Sequence, residues 1–130
     1  MSHVTPDLSS LITVLAQPNF IESQSDIDNK QFVFSYTITI SNCSDEKVQL
    51  LSRRWLITDA NGEITTVEGD GVVGQQPVIG PGKQYTYTSG SIFKTPLGIM
   101  QGQYHLIDSN NRPFSIEIPL FRLSVPNLLN

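Results

Sequence analysis

Cysteine is nearly missing from this 130-residue chain: Cys43 stands alone, so no internal disulfide can form. Long apolar runs are missing too, and the longest are only a few residues, too short to cross a bilayer. The stretch Met1-Ser2-His3-Val4-Thr5-Pro6-Asp7 has neither the basic region nor the apolar segment of a secretion signal. These absences point to a reducing compartment, and the expected location is cytoplasmic, without membrane insertion. Basic clusters are also scarce. Arg53-Arg54 is the only one, in a chain of formal net charge −4, which argues against a nucleic-acid binder that works by neutralising phosphates. No window carries a sustained helical repeat, and nine Gly and eight Pro break up the chain throughout.

What is present is alternation with period two, the pattern of half-buried strands. It is clearest from Phe32 to Ile40, where Phe32, Phe34, Tyr36, Ile38 and Ile40 share one face. Val33, Ser35, Thr37 and Thr39 share the other. Further strands are expected over Leu11 to Ala16, ending near Pro18, and over Val48 to Thr58. Asp59-Ala60-Asn61-Gly62 should turn the chain into Glu63 to Val67, since Asn-Gly tolerates the positive φ of a tight hairpin. Gln84 to Thr88, Met100 to Ile107 and Phe114 to Leu123 complete the set, with Pro119 implying a bulge or an edge position. The fold class is therefore all-β: one domain over residues 1–130, an antiparallel two-sheet β-sandwich of about seven or eight strands. Its immunoglobulin/fibronectin type III-like shape is expected in the fibronectin variant, because the immunoglobulin disulfide cannot form. The expected core is Phe32, Phe34, Tyr36, Ile38, Ile40, Trp55, Ile57, Tyr104, Leu106, Phe114 and Ile116.

Several short motifs, taken in order, carry a resemblance. They are Ser23-Gln24-Ser25, Leu51-Ser52-Arg53-Arg54-Trp55-Leu56-Ile57-Thr58-Asp59, and Val67-Glu68-Gly69-Asp70-Gly71-Val72-Val73-Gly74-Gln75-Gln76-Pro77. Pro81-Gly82, Tyr87-Thr88-Ser89-Gly90, Thr95-Pro96-Leu97-Gly98, Met100-x-Gly102-x-Tyr104 and Phe121-x-Leu123 follow. Over roughly residues 9–127 the chain resembles the ApaG family. It departs at its end, Leu128-Leu129-Asn130, where that family often carries a histidine. The resemblance implies a fibronectin-like sandwich used as a protein-interaction module, associated with cobalt and magnesium tolerance and efflux. It implies no chemical activity and no cofactor.

Gly69-x-Gly71-x-x-Gly74 matches a dinucleotide-binding fingerprint in letters only. That fingerprint needs a helix whose N-terminal amides hold pyrophosphate. Gln75-Gln76-Pro77-Val78-Ile79-Gly80-Pro81-Gly82 cannot form one, and Glu68 and Asp70 place negative charge where phosphate would sit. Two readings remain: glycines that shape a tight loop, or a nest of backbone amides that holds an anion. The second needs a cation brought in from Arg53, Lys83 or Lys94.

Other constellations fail on spacing. His3, Cys43 and His105 are scattered, and Asp26-x-Asp28 lacks the glycine and the final glutamate of an EF-hand loop. No Gly-x-Ser-x-Gly elbow occurs, and Asp108 should lie on the strand face opposite His105. Cys43 reads as an idle loop thiol. Arg53 and Arg54 fall on opposite faces that both look apolar, which implies a bulge or a strand buried on both sides. Trp55 is expected in the core. The expectation is a non-enzymatic binding or regulatory module with an unidentified protein partner; homo-oligomers stay open. Its expected ligand or partner loop is Gly69, Asp70, Gly71, Gly74, Gln76 and Pro77, with Arg53. The alternative is a binder of a phosphate-bearing small molecule at the same loop.

Overall fold

In the computed structural model, residues 7–126 are described; His3 and the chain end Leu128-Leu129-Asn130 lie outside them. Eight strands form two antiparallel sheets: β1 (Ile12–Phe20), β2 (Phe32–Asn42), β3 (Val48–Asp59), β4 (Ile64–Asp70), β5 (Val78–Ile79), β6 (Gln84–Phe93), β7 (Leu97–Ile107) and β8 (Pro113–Ser124). One sheet has the order β1-β2-β6. The other has the order β4-β3-β7-β8, with β5 paired to β3 beyond the end of β4. The expected sandwich is the observed one.

β2 forms because its alternation lets one face be wholly apolar. From Phe32 to Asn42 every second residue is buried, and the last buried position is Asn42. That polar ending is fully satisfied. Asn42 Nδ2 donates to the carbonyls of Glu46 and Ile79, and Oδ1 accepts from the Ser44 amide and hydroxyl. Four partners use the whole capacity of the amide side chain and pin the β2–β3 loop to β5.

The two inner faces meet in an aromatic cluster. Trp55 is buried, as expected, with its ring 5.5 Å from Tyr36, 5.9 Å from Phe121 and 6.4 Å from Tyr104, all near edge-on. Such pairs contribute about 0.5–1.5 kcal/mol each beyond area burial. Most of the expected core is buried, whereas Ile57 and Phe114 pack against it half-covered. Ile12, Val48, Leu50, Ile79, Met100, Ile118 and Leu123 join it.

Three strand expectations need correction. β1 does not stop near Pro18 but continues to Phe20, pairing Pro18 with Tyr36. It is an edge strand, where a missing N–H costs nothing if it faces away from the ladder. β4 extends to Asp70, so Glu68, Gly69 and Asp70 belong to a strand rather than a loop. β6 runs on through Ser89 and Gly90 to Phe93. Pro119 sits as expected: β8 is an edge strand, and its register slips between Met100 and Gly102, where Pro119 and Leu120 face Gln101.

Candidate functional site

β3 carries a bulge at Leu51: Leu50 pairs with Leu106, and Ser52 already pairs with His105. The extra residue reverses the facing of everything after it. Val48 and Leu50 point inward before the bulge, while Arg53 and Trp55 point inward after it. Arg53 is therefore half-buried between the sheets, and Arg54 is exposed, with Nε 2.8 Å from Glu68 Oε1. So exposed an ion pair adds little stability.

The glycine-rich segment lies opposite this bulge. β4 and β5 pair with the same side of β3, and residues 71–77 are the excursion between them. The Leu51 carbonyl accepts from the Gly71 amide at 2.7 Å and from Gln76 Nε2 at 2.9 Å. Leu50 N donates to the Pro77 carbonyl at 3.0 Å, and Gln49 Nε2 donates to the Gln76 carbonyl at 3.1 Å. Arg53 Nη1 donates to the carbonyls of Asp70 (3.2 Å) and Gly71 (2.9 Å). Arg53, Gly69, Asp70, Gly71, Gln76 and Pro77 thus meet around one bulge, while Gly74 lies in the turn beyond them.

Each glycine in the Gly-x-Gly-x-x-Gly run has a physical cause. At Gly69 a Cβ would come within 2.8 Å of Arg53 Nη1, so the bare backbone makes room for the guanidinium. Gly71 has φ +64°, and a Cβ there would meet the Gln75 carbonyl at 2.3 Å. Gly74, at φ +74°, is the second central residue of a two-residue turn closed by mutual hydrogen bonds between Val72 and Gln75. The first central residue is Val73 at φ 48°, a left-handed conformation that β-branched side chains rarely adopt. Val73 is also 60% exposed, while Val72 beside it is fully buried. The strained valine at the tip was not legible from sequence, because positive φ is expected of the glycine and not of its neighbour.

Elsewhere the placement is plain. His105 faces outward, its Nδ1 2.8 Å from Ser115 Oγ. Asp108 Oδ1 instead accepts the amides of Asn110 and Arg112 within its own turn. Cys43 is an exposed loop thiol. Among the described residues no group of three or more His, Cys, Asp or Glu could hold a metal ion.

Inside the sandwich, the hydroxyls of Tyr87 on β6 and Tyr104 on β7 share a hydrogen bond that ties the two sheets together. Burial pushes both phenols well above the ordinary tyrosine value, so the pair stays neutral.

Fold and site together define a fibronectin-like sandwich module whose edge strand is interrupted by a braced glycine-rich excursion. A family model described as the ApaG domain matches residues 22–108, and the chain belongs to that family. Protein ApaG of Escherichia coli O1:K1 is 55% identical over 122 residues, which cover 94% of this chain and 98% of the relative. The X-ray structure of a structural-genomics target, SoR45, is 43% identical with a TM-score of 0.90, covering 95% of this chain and 93% of its own. A Bordetella pertussis protein described as ApaA is 42% identical with a TM-score of 0.87, covering 89% and 94%. Among the described residues no helix is long and apolar enough to cross a membrane.

Proposed function

We propose that this chain is a non-catalytic cytoplasmic module that acts by binding a protein partner, with the outer surface of residues 71–77 as its contact. The observation that carries this reading is the exposed, strained apolar tip of the loop, above a base whose amides are committed to backbone carbonyls. The amides of Gly71, Val72 and Gln75 already donate to carbonyls of Leu51, Gln75 and Val72. The loop's own cation, Arg53, turns Nη1 to two backbone carbonyls. An anion nest needs free convergent N–H groups. The loop instead offers solvent an apolar tip, Val73, held in a costly conformation by the structure around it. Strain of this kind, roughly 1–3 kcal/mol, persists where the surroundings enforce it, and such sites cluster at functional surfaces. Any part in cobalt or magnesium tolerance would then run through the partner rather than through metal bound here.

The test is an amide-resolved NMR titration with pyrophosphate, ATP and a dinucleoside polyphosphate, with and without Mg²⁺ or Co²⁺. No saturable shifts at Gly69, Gly71 or Gly74 are expected. Saturable shifts centred there would replace this reading with that of a phosphate-ligand binder.

A further inference from the structure

The sandwich has a closed side and an open side. β1 and β8 close one side by packing together; β1 carries Pro18, and β8 carries Pro113 and Pro119. On the other side, β4 pairs only with β3, and β6 pairs only with β2. Both leave a row of backbone N–H and C=O groups without strand partners. Edge strands are normally blunted by proline, bulges or charge. β6 has none of these: its ten residues, Gln84–Phe93, hold no proline and no charged side chain, and its register with β2 is unbroken.

Between these two edges lies an opening of about 200 Å³. Tyr36, Trp55 and Ile57 line it from the core, and β6 borders it with the small residues Ser89, Gly90 and Ser91. Arg53 also lines it, and no carboxylate does. Arg53 spends Nη1 on the carbonyls of Asp70 and Gly71, and no hydrogen bond engages its Nη2 or Nε among the described residues. Two hollows adjoin it: one shares Ile57 and is lined by Asp59, Glu63 and Lys94, and the other shares Arg53 and is lined by Glu68 and Asp70.

We infer that this open side takes an extended peptide from a partner protein, added as a strand to the edge of β6, with an acidic side chain on Arg53. Strand addition draws affinity from main-chain hydrogen bonds and specificity from pockets for alternate side chains. Here the main-chain groups are those of β6. The pocket is the gap over Trp55, and the charge match is a carboxylate against the free face of a guanidinium. The inference rests on the protein-binding reading above, but it names a surface separate from the Val73 tip and a chemical class of partner.

The probe is a displayed library of random linear decapeptides, panned on the folded domain. Enriched sequences should lack proline and share Asp or Glu at one fixed position. In NMR, the selected peptide should shift the amides from Tyr85 to Phe93 and the Arg53 Nε–H. Ser89→Tyr, which fills the opening from a half-exposed position, should weaken binding at least tenfold. Arg53→Gln should do the same, whereas Val73→Asp should change it less than twofold. No enrichment, or enriched peptides without a shared acid, would overturn the inference. So would a peptide that maps away from β6, or sedimentation showing that β6 is already paired with a second copy of the chain. Binding lost with Val73→Asp and kept with Ser89→Tyr would overturn it while leaving the protein-binding reading intact.

Discussion

The guanidinium of Arg53 lies against the bare backbone of Gly69, directly across the β3–β4 register, where a Cβ would approach Nη1 to 2.8 Å. From there it reaches the carbonyls of Asp70 and Gly71. A glycine one residue from the end of β4 thus decides whether the arginine can brace the loop.

Gly69→Ala should push the guanidinium off those carbonyls and cost about 1–2 kcal/mol, near the lower end for lost hydrogen bonds to a charged group because the site is only half-buried. In an Arg53→Ala background the same change should cost little, because the clash and the bonds are already gone. Chemical denaturation of the four proteins in this double-mutant cycle measures the coupling.

Val73→Gly should raise stability by about 1 kcal/mol, since φ 48° suits glycine and strains valine. Thermal unfolding gives the sign. If the tip is a contact surface, the same variant should also lose partner binding. Gain of stability with loss of binding is the expected combination.

Tyr87 and Tyr104 share their hydrogen bond inside the core. Tyr104→Phe leaves a buried hydroxyl unpaired and should cost about 1–3 kcal/mol, whereas Tyr87→Phe with Tyr104→Phe should cost less than either alone. The pair also sets a pH dependence. Both phenols have folded pKa values raised by burial above the unfolded value of about 10. Their contribution to stability is therefore fully present below about pH 10 and is lost as the pH rises above it, at about 1.4 kcal/mol per pH unit for each group. Ultraviolet titration should show these two phenols ionising only as the protein unfolds.

Asn42→Ala removes the side chain that holds Glu46, Ile79 and Ser44 together. It should cost about 2–4 kcal/mol in denaturant unfolding, the range for breaking a buried polar network. Asn42→Asp should not rescue it, because the NH₂ group that donates twice becomes an acceptor oxygen facing two carbonyl oxygens.

Local chemistry made parts of this fold legible in the sequence. The alternation from Phe32 to Ile40 is reproduced residue for residue in burial. Asn61-Gly62 makes its hairpin, with Gly62 at φ +80°. Pro119 marks an edge and a bulge together. What could not be read depended on contacts distant in sequence. One extra residue at Leu51 reverses the facing of Arg53 and Arg54, and nothing in the local sequence says where the bulge falls. β5 is only two residues long and exists because β3 is there to pair with it. The candidate residues could be grouped from sequence because six of them fall within residues 69–77. Their reason for being together was not legible: it lies in the Leu51 carbonyl, in the space over Gly69 and in a turn that forces Val73 to positive φ.

The measurement that tests the central claim most directly is photo-crosslinking in cells. A photoreactive amino acid would be placed at position 73, with a control at position 37 on the outer face of β2. A single adduct of defined mass from position 73, absent from position 37 and lost when Gly71→Val disrupts the loop, is the expected result. No adduct from position 73, or the same adducts from both positions, would contradict a protein-binding role for this loop.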